Sequence, residues 1–143
     1  MRHPNWDYSH KASYFITLVV KGRKPLLGKI NKGVVELSPL GKIVQERWLA
    51  SEVVYPNVSL DEYVIMPDHF HAILHFSSKH LITDTKVQDL STVVRGFKST
   101  VMKQARAHGL DIRWQRSFHD RIIRSERQLI NTRRYVKENP KRS

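Results

Sequence analysis

Two histidines separated by a single residue, His69-Phe70-His71, are the first residues in this chain whose types and spacing suggest chemistry. They follow Tyr63-Val64-Ile65-Met66 and Pro67-Asp68 and precede Ala72-Ile73-Leu74-His75-Phe76, an apolar run, a turn and a second apolar run. The pattern predicts a hairpin whose second strand begins at His69. Strand side chains alternate between faces, so His69 and His71 share one face and Phe70 takes the other. Two imidazoles at i and i+2 can approach one metal ion without distorting the backbone. The competing reading has one histidine satisfied beside the core and the other solvated.

A second group lies near the C-terminus, where Tyr135 and Asn139 stand at i and i+4 on a stretch with helical periodicity. Beside a histidine-held metal, Asn139 would offer a carbonyl oxygen and Tyr135 a phenol. Tyrosine can act as a covalent nucleophile. With a free pKa of about 10 it needs a base or a metal that makes its target more electrophilic. Each residue also has a purely structural reading, Tyr135 as an amphipathic packing residue and Asn139 as a helix cap before Pro140. The chain has no cysteine, which excludes thiolate ligands, thiol nucleophiles and disulfides.

The elements that must position these groups follow from pattern and punctuation. Tyr14 to Val20 is β-branched and aromatic and predicts a central strand. Gly33 to Leu37 suggests a short extra strand. Ser38-Pro39 opens a helix, with Leu40, Ile43, Val44 and Trp48 at helical spacing as far as Ser51. Trp48 reads as core. A strand over 58–66 leads into the histidine hairpin, and a polar loop is expected over 79–86. Leu90, Val93, Val94, Phe97 and Val101 then mark a long helix closed by Gly109. A strand forms around Phe118 to Ile123. Ser125 and Gln128 form a capping box for the last helix, which stops at Asn139-Pro140. The result is an α+β fold of ferredoxin-like βαββαβ order, an antiparallel sheet with two helices on one face and an added terminal helix. One domain is expected over residues 1–143, with 1–12 as a flexible polar arm.

Charge is the most informative bulk property. Twenty-five Lys and Arg against 13 Asp and Glu give a formal charge of +12, which suggests a polyanionic partner, most simply nucleic acid. The basic residues are spread along the sequence, so the fold must assemble any basic patch. The N-terminal stretch lacks the apolar core of a signal peptide, and no run reaches membrane-spanning length. A cytoplasmic protein is expected, nucleoid-associated when bound to DNA.

Taken together, the segments Val64-Ile65-Met66-Pro67-Asp68-His69-Phe70-His71, Trp114-Gln115 with Phe118-His119-Asp120-Arg121-Ile122-Ile123, and Tyr135-Val136-Lys137-Glu138-Asn139-Pro140 resemble one family. It is the IS200/IS605 family of single-tyrosine HUH transposases, and within it the REP-associated tyrosine transposases. The resemblance runs from Tyr14 to Pro140. It implies metal ligands at His69, His71 and Asn139, a nucleophile at Tyr135, and a homodimer working on single-stranded DNA that often carries a hairpin. Asp68 stands where the family frequently has Asn, a change expected to matter little at a turn.

The expected activity is a metal-dependent single-stranded DNA endonuclease and strand transferase, with Mg²⁺ or Mn²⁺ as the cation and a 5′-phosphotyrosine intermediate. Arg95, Lys98 and Arg121 are candidates for holding the strand, Phe97 and Trp114 for stacking on bases, and His119 and Asp120 for assisting the site. The alternatives are a non-catalytic nucleic-acid binder on the same fold, or a domesticated relative that binds or nicks DNA without moving an element. Arg95-Gly96-Phe97 faintly matches an aromatic RNA-binding motif, although it falls in a helical pattern.

Overall fold

In the computed structural model, which describes residues 10–77 and 89–142, β1 runs from His10 to Val19 and β5 from His69 to Ser77. These two strands are the centre of an antiparallel four-stranded sheet. Its outer strands are β4 (Val58–Ile65), beside β5, and β6 (His119–Ile122), beside β1, giving the order β4-β5-β1-β6. That order is the ferredoxin-like arrangement expected from the sequence. Strand β1 starts at His10, so the last three residues of the expected arm are strand. The rest of the arm and the loop expected over 79–86 lie outside the described residues.

The alternation of β5 divides the molecule into two layers. Phe70, Ala72, Leu74 and Phe76 face one way with Ile16, Leu18 and Val20 of β1. Helices α1 (Pro39–Leu49) and α3 (Leu90–Ala107) cover that face. Trp48 is fully buried there as expected, its ring 5.1 Å from Phe70 and 5.2 Å from Phe97. The helices begin where their caps predict: Ser38 Oγ accepts from the Gly41 N–H at 3.1 Å, and Asp89 Oδ1 accepts from the Thr92 N–H at 2.8 Å. A single turn of helix, α2 (Ser51–Val54), extends α1 toward β4.

The opposite face carries Phe15, Thr17, His69, His71, Ile73 and His75. Helix α4 (Glu126–Glu138) lies across part of it, with Leu129 and Val136 packed on Ile73 and Ile123. Ser125 caps α4 by accepting from the Gln128 N–H at 3.2 Å. The return bond of the expected capping box is displaced by one residue, since Gln128 Oε1 accepts from the Arg124 N–H at 2.6 Å. The chain continues past Asn139 as a 3-10 turn through Pro140, rather than stopping there.

The single extra strand expected at 33–37 is a hairpin of two, β2 (Gly28–Asn31) and β3 (Val34–Leu37). Lys32 and Gly33 form its turn with φ of 51° and 77°, a left-handed pair suited to the strand twist. The hairpin packs on the 3-10 turn, with Gly33 against Lys141, and so supports the end of α4.

Candidate functional site

The register of β1 on β5 places Thr17 opposite His71 and Val19 opposite His69. Both imidazoles lie on the α4 face, as their spacing predicts, with ring centroids 4.6 Å apart. Each is oriented through Nδ1. His69 Nδ1–H donates to Asp68 Oδ1 at 2.7 Å, and Arg23 braces the same carboxylate from 3.2 Å. His71 Nδ1 lies 2.8 Å from Thr17 Oγ1. With Nδ1 protonated on both rings, both Nε2 lone pairs are available, and neither Nε2 makes a hydrogen bond among the described residues.

Electrostatics favour that state at His71. Burial, and then the neighbouring His69, pull the His71 pKa down to about 4, so its imidazole is neutral at physiological pH. Burial would raise the Asp68 carboxyl, but the hydrogen bond and charge of His69, followed by Arg23, bring it below its usual value. Asp68 therefore ties His69 to Arg23 through one carboxylate. A carboxylate on a histidine's second nitrogen is the usual outer partner of a metal-binding imidazole.

Helix α4 brings the second group to the first. The Tyr135 ring stands 5.7 Å from His71 and 6.0 Å from Phe15. Tyr135 is 38% exposed. Asn139 is buried and continues the inward stripe Leu129-Thr132-Val136 by one more turn. The neutral His71 imidazole offers a nitrogen donor of the kind that suits a divalent cation of borderline hardness.

Phe15 is the floor of the site. It stacks on His71 at 5.1 Å, meets Tyr135 edge-on and carries the Arg121 guanidinium 5.4 Å from its ring centroid. In the sequence it is marked only as a strand residue. His75, Asp61 and Arg133, also unmarked in the sequence, join in one network. Asp61 Oδ2 accepts from His75 Nε2–H at 2.8 Å and from Arg133 at 2.6 Å, and Asp61 Oδ1 accepts from Arg133 Nε–H at 2.8 Å. The proximity of an acid to the histidine hairpin was visible in sequence; its direction was not.

Several expected site residues are elsewhere. Phe97 and Trp114 are 3% and 8% exposed and pack inside the α1/α3 core, so they cannot stack on bases. Gly96 presses on the Tyr55 hydroxyl and leaves no room for a Cβ, so Arg95-Gly96-Phe97 is explained as packing. Arg95 and Lys98 belong to α3, on the far side of the sheet from Tyr135, and Lys98 Nζ donates to the Gln115 carbonyl at 3.1 Å. Arg121 does belong to the site face. The pair His119-Asp120 is split by strand alternation: His119 is opposite Thr17, on the histidine face, and Asp120 is opposite Ile16, on the other.

No family model matches the chain. An uncharacterised protein of Haemophilus influenzae is 30% identical over 98% of this chain and 86% of its own length. Among solved structures, a REP-associated tyrosine transposase bound to a REP hairpin is similar over 99% of this chain and 74% of its own, with a TM-score of 0.67 and 21% identity. A candidate transposase from Deinococcus radiodurans matches over 98% of this chain and 97% of its own, with a TM-score of 0.53 and 16% identity. The chain belongs to one family with the Haemophilus influenzae protein, and its fold is that of the tyrosine transposases.

Proposed function

We propose that this protein is a metal-dependent single-stranded DNA endonuclease and strand transferase in which Tyr135 is the nucleophile. The observation that carries the reading is the convergence of Tyr135 on the His69 and His71 pair from a different element, with the Tyr135 and His71 rings 5.7 Å apart. The fold shared with a transposase bound to a REP hairpin supports a nucleic-acid substrate, as does the charge of +12.

His69 and His71 would hold a divalent cation, Mg²⁺ or Mn²⁺, through Nε2, with the Asn139 carbonyl oxygen as a third ligand. When bound, the ion supplies Lewis acidity and a template for a phosphodiester. The chain's own residues do the rest. Asp68 and Thr17 fix both rings so that lone pairs, not N–H groups, face the site. Arg121, over Phe15, contributes positive charge where a DNA backbone would pass.

The Tyr135 oxygen forms a bond to phosphorus while the bond from phosphorus to the 3′-oxygen breaks. The departing 3′-oxygen takes up a proton and the phenol gives one up, with solvent as carrier. One phosphoester replaces another, so a second 3′-hydroxyl can reverse the step and join strands without a nucleotide cofactor. No described helix is long and apolar enough to cross a membrane. A homodimer and a cytoplasmic location complete this reading.

The test is incubation of labelled single-stranded oligonucleotides containing hairpins with the protein and Mg²⁺ or Mn²⁺. An SDS-resistant adduct that disappears in Tyr135→Phe and in His69→Ala is the expected result. Binding without an adduct on a broad hairpin panel would favour the non-catalytic reading.

A further inference from the structure

Strand β4 contains an irregularity whose position is informative. Leu60 pairs with Leu74 and Tyr63 with Ala72, so β4 spends three steps where β5 spends two. Leu60 and Tyr63 both pack on the α1/α3 core, and the extra residue puts Asp61 and Glu62 together toward α4. This is a β-bulge, which commonly re-aims side chains beside functional sites. Asp61 grips Arg133 through two hydrogen bonds of 2.6 and 2.8 Å, and Glu62 lies 3.6 Å from Lys137 Nζ. Arg133 and Lys137 are one helical turn apart, and Tyr135, between them in sequence, projects from another side of α4 toward His71.

The two ion pairs differ in weight. Glu62 and Lys137 are a solvated pair of the kind that contributes little. The Asp61 side chain is only 9% exposed, and beyond Arg133 it also accepts from His75, whose Nδ1 lies 2.7 Å from Ser13 Oγ. Burial would raise the Asp61 carboxyl, but His75 and then Arg133 hold it far below the usual carboxylate range. The Ser13, His75 and Asp61 bonds resemble a hydrolase triad, but Ser13 is 2% exposed and Asp61 is saturated by Arg133, which leaves no nucleophile. What the network does is join β1, β5, β4 and α4 at one point.

We infer that Asp61 and Arg133 are positioning residues, a clasp raised by the β4 bulge that fixes α4 on its own sheet and so sets Tyr135 against His71 of the same chain. A bidentate pair fixes the helix in direction as well as distance. The apolar contact beneath α4, Leu129 and Val136 on Ile73 and Ile123 with Phe15 and Val64 at its edge, is non-directional and lacks the angular hold of a bidentate pair. The functional importance of the clasp rests on the proposed role of Tyr135, but its existence can be tested without any reaction.

The experiment follows the ring resonances of Tyr135 by NMR in protein carrying ¹³C-tyrosine, assigned by Tyr135→Phe. In the wild type those resonances are displaced by the Phe15 and His71 rings. In Asp61→Asn they are expected to collapse toward exposed-tyrosine values, while methyl signals of Ile16 and Leu18 in the α1/α3 core stay unchanged. The adduct-forming rate would fall about tenfold with hairpin affinity unchanged. Arg133→Gln, which leaves Asp61 its His75 partner, is the second variant and should behave alike. An unshifted Tyr135 signal in both variants overturns the clasp. Absence of an adduct in the wild type would sink the proposed function but leave the NMR result decisive for the clasp.

Discussion

Thr17→Val removes one oxygen from the site and almost nothing else. Valine keeps the shape and the β-branched preference for a strand, so β1 is retained. The Thr17 hydroxyl lies 2.8 Å from His71 Nδ1. The substitution therefore deletes the side-chain partner that holds the tautomer with its Nε2 lone pair toward the site. Loss of an outer partner of a metal-binding histidine costs about 10–100-fold in metal affinity. Even the low end of that range, about tenfold, corresponds to about 1.4 kcal/mol. Titration with Mn²⁺, followed by electron paramagnetic resonance without DNA, measures this directly. Ring ¹⁵N spectra of His71 would report the tautomer in the same samples. Unchanged Mn²⁺ affinity with an unchanged tautomer would refute the argument that Thr17 orients the ligand.

The remaining predictions concern the rest of the frame. Phe70→Ala empties a fully buried position between Trp48 and Phe97 and should destabilise the protein by about 3–5 kcal/mol, read as a lowered urea midpoint. In metal-free protein, stability should fall between pH 6.5 and 4, because the His71 pKa near 4 is below its ordinary 6.5 and the unfolded chain takes up the proton first. The loss is on the order of 3 kcal/mol, and His71→Gln should flatten that window in pH-dependent denaturation. Asp61, whose folded carboxyl is also depressed, extends the loss to more acidic pH. Arg121→Ala should weaken binding of single-stranded oligonucleotides and reduce the salt slope by about one. Arg95→Ala, on the other layer, should change adduct formation far less when both are compared in the same assay.

The parts of the site that depend on local periodicity were legible in the sequence. Strand alternation alone put His69 and His71 on one face and Phe70 in the core, and helical spacing put Tyr135 and Asn139 one turn apart. Ser38, Ser125 and Gly109 marked helix ends by chemistry that acts within a few residues. The sheet order followed from the succession of strands and helices. What the sequence could not show were contacts made across the sheet. Thr17 and Phe15 join the site only through the pairing of β1 with β5. Asp61 reaches α4 only because a bulge adds one residue to β4, and nothing in Leu60-Asp61-Glu62-Tyr63 marks it. Phe97 and Trp114 were misread because aromatics suited to a base are equally suited to a core, and burial decides between them. The β2 strand was missed because Gly28 to Asn31 is short and half polar.

Strand β5 also couples fidelity of folding to chemistry. On one side of that strand are Phe70, Ala72, Leu74 and Phe76, and on the other His69, His71 and His75. A slip of one residue in its pairing would exchange the two sets, pushing three imidazoles into an apolar interior and four apolar side chains onto the face of α4. Each stranded ring nitrogen would cost about 1–3 kcal/mol. The misaligned chain would thus be both less stable and chemically inert. The histidines of the candidate site thus help to proofread the sheet that carries them.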